Sequence, residues 1–134
     1  MTLPDGKRAD IGLIGEWGEQ LAVKWLRKNG RKVLYRNFKP PGGGEVDIVC
    51  RHGRMLTFVE VKTRTNDERG RPALAVTAAK EQLVLRGARA WLKMLDQTQT
   101  ISIPRRCDIV EVLLQEGQKP RVTVLEGAFK YRET

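Results

Sequence analysis

Residues 44–64 read GEVDIVCRHGRMLTFVEVKTR, and their alternation decides the architecture of the chain. Successive side chains of a strand point to opposite faces. Glu45 to Arg51 and Met55 to Thr63 are β-rich runs, and His52-Gly53 between them predicts a hairpin turn. A turn centred there sets Arg51 opposite Arg54, Asp47 opposite Phe58 and Glu45 opposite Glu60. Glu45, Asp47, Glu60 and Lys62 then share one face. A loop longer or shorter by one residue reverses the parity and scatters them.

Toward the N-terminus, apolar positions recur at helical spacing from Asp10 to Asn29 (Ile14, Trp17, Leu21, Trp25), and Asn29-Gly30 ends that helix. Val33 to Phe38 is a short strand broken by Pro40-Pro41-Gly42-Gly43-Gly44. Thr65 to Pro72 is a polar loop without periodicity. Val76 to Leu95 is a second helix with Val76, Leu83, Gly87, Ala90, Trp91 and Met94 on one side. Asp108 to Leu114 and Arg121 to Leu125 are further strands around a turn at Gln115 to Pro120. The order is α-β-β-β-α-β-β. A long helix between strands demands a crossover, so the expected fold is an α/β sandwich on a mixed sheet. Residues 1–9 are expected as a flexible lead-in and 10–134 as one domain.

Across a strand pair, like charges repel unless a cation sits among them or one acid keeps its proton. Mg²⁺ takes carboxylate oxygens and retains several waters, which suits Asp47 and Glu60, with Glu45 as a further acid candidate. Lys62 can orient or deprotonate a water and stabilise phosphate charge. Together these groups offer the parts needed for phosphodiester hydrolysis. The competing reading is a surface salt-bridge cluster, but Glu60 and Lys62 interrupt an otherwise apolar run.

The 25 Lys and Arg against 16 Asp and Glu give a net charge of +9 and a pI near 10. A field of that sign favours polyanions, nucleic acid first. Residues 1–40 carry nine basic and four acidic side chains. Cys50 and Cys107 lack zinc-site spacing, and Cys50, among Val46, Ile48 and Val49, is read as a buried free thiol ahead of a disulfide. No apolar run approaches the roughly 20 residues that span a bilayer, and Met1 to Lys7 lack a signal peptide's apolar stretch. The expected location is the cytoplasm, with no membrane partner. Gly42-Gly43-Gly44 lacks the Lys-Ser/Thr of a phosphate-binding loop, so an NTPase is excluded. These glycines are expected to give flexibility where substrate approaches. His52 is read as a turn residue, and Trp17, Trp25 and Trp91 as core packing.

Gly44-Glu45-Val46-Asp47 followed by Phe58-Val59-Glu60-Val61-Lys62-Thr63-Arg64 resembles the bipartite motif of the PD-(D/E)XK, or restriction-endonuclease-like, nucleases. More narrowly the chain resembles the YraN-like family of bacterial proteins over roughly residues 12–114, including Gly15-Glu16-Trp17-Gly18-Glu19 and Arg106-Cys107-Asp108. Val46 stands where the motif's name has proline. The resemblance implies a restriction-endonuclease-like fold with helices on the faces of the sheet. It also implies one or two Mg²⁺ or Mn²⁺ ions on Asp47 and Glu60, and Lys62 serving the attacking water.

Such nucleases often draw another acid from the first helix. Helical geometry selects Glu19 over Glu16, because Glu19 falls with Gly15, Ala22 and Leu26 at the edge of the apolar stripe. Gly15 and Ala22 would allow close approach beside it. Glu19 is thus a direct or water-mediated metal ligand, or else a solvated glutamate. Lys80 lies on the apolar face of the second helix, as a phosphate contact, a site-organising residue or a snorkelling lysine. Arg64 shares the face of Glu60 and Lys62 and either grips a phosphate or pairs with Asp108.

The leading expectation is a divalent-metal-dependent endonuclease, on DNA ahead of RNA and selective for structure rather than sequence. Two alternatives stand beside it: a nucleic-acid-binding module of the same fold that does not cut, and an adaptor docking an acidic protein. A homodimer is compatible with the resemblance, although no heptad or apolar stripe points to one.

Overall fold

The computed structural model describes residues 2, 3, 5, 6, 8, 10–65, 76–95 and 102–133. Helix α1 spans Ile11–Lys28, followed by strands β1 (Arg31–Phe38), β2 (Val46–His52) and β3 (Met55–Arg64). Helix α2 (Ala78–Lys93) then precedes β4 (Arg105–Leu113) and β5 (Arg121–Phe129). The element order is the one expected. The polar loop expected over Thr65 to Pro72 lies outside the described residues beyond Thr65. In the lead-in, Thr2 and Arg8 form an isolated bridge.

The five strands form one sheet in the order β1-β2-β3-β4-β5, antiparallel except for the parallel pair β3 and β4 at which α2 makes its crossover. Helix α1 starts where the Asp10 carboxylate accepts the Leu13 N–H at 2.8 Å. It stops before Gly30, whose φ of +92° suits a residue without a Cβ. On its face of the sheet Ala22, Val23 and Leu26 meet Ile48, Cys50, Val59, Val110, Val112 and Leu114. The opposite face buries Val84, Leu85, Ala88 and Leu92 of α2 against Val46, Val49, Phe58, Cys107 and Ile109. Both helices thus shield a sheet whose central strands are apolar on both sides.

The buried stripes differ from those expected. Helix α1 buries Gly18, Ala22, Val23 and Leu26, whereas Trp25 is 40% exposed. The close approach is made by Gly18, not Gly15. A Cβ on Gly18 would meet Thr63 Cγ2 at 2.7 Å, whereas one on Gly15 would meet nothing within 4 Å. Small side chains let α1 settle on β3, and the bulky stripe is rotated toward the rim. Met94, expected on the buried side of α2, instead caps its C-terminal end and is 63% exposed. Trp17 and Trp91 do pack against the core, Trp91 edge-on to Phe38 with ring centroids 5.2 Å apart.

Residues 42–44 are held against α2 rather than set beside the acidic residues. All three have positive φ, and a Cβ on Gly44 would stand 2.5 Å from the Gly87 nitrogen. Arg86 Nη2 donates to the Gly42 carbonyl at 2.8 Å. Close backbone contact, not flexibility at the site, is what these glycines permit. Cys50 is a buried free thiol, as expected, and so is Cys107.

Candidate active site

Two acidic residues converge at one end of the β2–β3 hairpin. The ladder pairs His52 with Met55 and Ile48 with Val59, two residues away from the register expected. The turn is Gly53-Arg54 instead, because Gly53 takes φ +62° at its first position, where a two-residue turn favours glycine. A two-residue shift preserves parity. Continued one step past Ile48–Val59, it sets Asp47 opposite Glu60, correcting the expected Glu45–Glu60 pairing. At that step the Val61 N–H donates to Asp47 Oδ2 at 2.8 Å, so a carboxylate caps the strand's amide.

Glu60 is buried, and its Oε2 lies 3.6 Å from Lys80 Nζ at the start of α2. Thr77 caps that helix, its hydroxyl accepting the Lys80 N–H at 3.1 Å. Among the described residues no donor meets Glu60 Oε1, although the atom is out of contact with solvent. Asp47 and Glu60 are close enough to share a proton. Burial pushes the Glu60 carboxyl from the ordinary 4.5 up to about 8; the Asp47 charge adds to this and Lys80 opposes it. Burial also raises Asp47, against the pull of the Val61 amide. Both shifts record negative charge with insufficient compensation.

The acids line a pocket of about 760 Å³ with Lys62, Arg64 and Lys80, walled by Ile11, Ile14 and Gly15 of α1. Glu19 lines it too, whereas Glu16 does not; the helical argument that preferred Glu19 matches this placement. Burial and the nearby Asp47 raise the Glu19 carboxyl, and Arg36 of β1 holds it at 3.4 Å. Sequence reasoning missed Arg36, since only the tertiary packing of β1 beside α1 brings it there. Among the described residues no three His, Cys, Asp or Glu side chains form a ready metal cage. The acid pair is assembled, and Glu19 stands apart with its own cation.

Two further candidates are placed differently from expectation. Glu45 turns to Lys39 at 3.8 Å and does not line the pocket, although its charge raises both acids. Arg64 is not the partner of Asp108. That buried carboxylate is taken by Arg31 at 2.7 Å, Arg106 at 2.7 Å and the Gly127 N–H at 2.8 Å. Arg64 instead faces the pocket and acts on Glu111. His52 ends β2 at the turn, 3.8 Å from Glu126.

The donor set suits a hard divalent cation. Magnesium is commonly held by one or two carboxylates while keeping several waters, and here two carboxylates stand together, with one buried oxygen that has no partner among the described residues.

No helix among the described residues is long and apolar enough to cross a membrane. The profile described as "Uncharacterised protein family UPF0102" matches residues 18–112. The chain is similar to a UPF0102 protein of Syntrophotalea carbinolica, 48% identical over 118 residues that cover 87% of this chain and 90% of that one. It is also similar to UPF0102 proteins of Geobacter metallireducens (39% identity, 87% and 92% covered) and Trichlorobacter lovleyi (40% identity, 87% and 89% covered). The extent of the profile match and these identities establish that the chain belongs to the UPF0102 family.

Proposed function

We propose that the protein is a divalent-metal-dependent nuclease that hydrolyses phosphodiester bonds, acts on DNA ahead of RNA, and selects substrate structure rather than sequence. The observation that carries this reading is the pairing of half-buried Asp47 with buried Glu60, one of whose carboxylate oxygens meets no donor among the described residues, in a pocket that also presents Lys62, Arg64 and Lys80. It agrees with the resemblance to PD-(D/E)XK nucleases. Asp47 and Glu60 would hold Mg²⁺ or Mn²⁺, which supplies Lewis acidity toward a phosphoryl oxygen.

The chain's own groups divide the remaining work. Lys62 offers an ammonium to the attacking water and to charge developing on phosphate. Arg64 presents a planar fork that matches phosphate oxygens. Lys80 offsets the Glu60 charge and keeps that carboxylate directed at the pocket. Glu19, steadied by Arg36, can accept a hydrogen bond from water across the pocket.

The test is incubation of the purified protein with Mn²⁺ or Mg²⁺ against duplex, single-stranded, flap and junction DNA, and RNA. Cutting is expected with the native chain and lost in Asp47→Ala and Lys62→Ala. Cutting unchanged in both variants refutes the assignment. A binding module without catalysis is the second reading, favoured by the Lys80–Glu60 ion pair and the lack of a three-acid cage among the described residues. Salt-dependent nucleic-acid binding with no calorimetric Mg²⁺ uptake would decide for it.

A further inference from the structure

A second cleft, of about 970 Å³, lies between α2 and the loop at Pro40–Gly43. Four cations line it, Arg86, Arg89, Lys93 and Arg105, against one carboxylate, Glu133. Glu133 is engaged by Arg105 at 3.5 Å. Arg86 and Arg89 are braced by backbone carbonyls, donating to Gly42 at 2.8 Å and Arg132 at 2.9 Å. Among the described residues neither is paired with a carboxylate, and neither is Lys93. These guanidinium groups are therefore oriented without being neutralised. A carbonyl takes one corner of the fork and leaves other N–H groups for an anion.

The spacing is that of a polyanion rather than a lone ion. At about 100° per residue, Arg86, Arg89 and Lys93 fall within about 60° of one another on the helix, roughly opposite Lys80. Their axial span is about 10 Å, long enough to face more than one phosphate of a strand. Gly42 and Gly43 form one wall; Gly43 is covered by the Arg86 guanidinium, whereas the space beside Gly42 is open. Met94, 63% exposed at the rim, offers an apolar surface beside the cations.

We propose that this cleft is a second nucleic-acid site, in which Arg86, Arg89 and Lys93 hold successive phosphates of one strand. It rests on the nucleic-acid reading above for its ligand, but not on catalysis. The thickness of α2, about 10–12 Å with side chains, separates it from the acid pocket. It adds affinity without touching the reacting phosphate.

The experiment is fluorescence anisotropy of a labelled single-stranded DNA on the full chain in EDTA, from 50 to 300 mM salt. Removing three phosphate contacts lowers the salt slope by about 2 for a single strand, which corresponds to about 100-fold weaker binding at 0.1 M salt. Arg86→Gln/Arg89→Gln/Lys93→Gln is expected to show both changes, and Arg86→Lys/Arg89→Lys to keep the native slope. Because the arginines also brace the loop and the C-terminal segment, Lys93→Gln alone is read as well, with a slope lower by about 0.7. An unchanged slope in Lys93→Gln, or unchanged affinity in the folded triple variant, overturns the proposal. So does stronger binding of a polyglutamate peptide than of DNA, which would assign the cleft to an acidic protein. A chain that cuts but binds equally well after the triple change refutes the cleft alone. One that binds through the cleft and never cuts refutes the nuclease reading alone.

Discussion

Replacing Glu60 with glutamine should change how stability depends on pH, and the direction follows from where its proton is held. The folded carboxyl titrates near 8, above the ordinary 4.5, so folding binds the proton more tightly. The resulting stabilisation is complete below pH 4.5 and is lost as pH rises through about 8. The interval corresponds to roughly 5 kcal/mol, at about 1.4 kcal/mol per tenfold change in proton affinity. Asp47 shares the proton, so half of that is the smallest effect expected, about 2–3 kcal/mol or about 8 °C in Tm for a chain of this size. Glutamine keeps the shape and cannot titrate. Thermal melts in EDTA from pH 5 to 9 should fall steeply for the native chain and much less for Glu60→Gln. Adding Mg²⁺ at pH 8.5 should raise the native Tm and leave the variant unmoved. Identical pH profiles for the two proteins would refute the reasoning, because the buried acid would then carry no excess proton affinity.

Asp108→Asn should destabilise the fold by about 3–5 kcal/mol in urea titrations, because it leaves Arg31 buried beside a neutral amide. The Asp108 carboxyl is held below its ordinary 3.8 by hydrogen bonds from Arg106, Gly127 and Arg31 that outweigh burial, so its contribution persists above pH 3.8 and fades only in stronger acid. Gly44→Ala should cost at least about 1–3 kcal/mol, since φ +107° is strained for alanine and the methyl meets α2; a Tm within 1 °C of native would contradict the packing described. Burial raises the thiols of Cys50 to about 11 and Cys107 to about 12, so both should resist a thiol reagent at pH 8 until denaturant is added. Rapid native labelling would mean that either face of the sheet opens readily.

The acid pair was legible because charges interrupt an apolar strand: Phe58-Val59-Glu60-Val61-Lys62 has no reason to carry Glu60 inward unless something there uses it. Parity survived an error in register, since two residues bring the same face round again. Reading Gly53 as the first position of the turn would have given the right pairing. Other features came from tertiary packing that no local pattern encodes. Gly18 rather than Trp25 faces the sheet because Thr63 leaves room only for a hydrogen. Strand β5 runs past Glu126-Gly127, which looks like a stop, because Gly127 at φ +62° accompanies a shift in register instead of ending the pairing. Strand β4 begins at Arg105, ahead of the expected Asp108, because its parallel pairing with β3 starts at Leu56–Arg105. Arg36 and the cleft beside α2 required the fold itself.

The irregularities in the two outer strands bear on how the molecule behaves in a crowd. Strand β1 shifts register between Val33 and Tyr35, and the β4–β5 pairing shifts between Cys107 and Ile109. Lys32 and Arg36 project from β1, and β5 opens with Arg121. A border that is kinked and, on β1, positively charged is a poor template for another chain's strand. Fibril-like growth through the sheet margins is thereby discouraged, and the helical faces and the ends of the strands are left as the places where other molecules can settle.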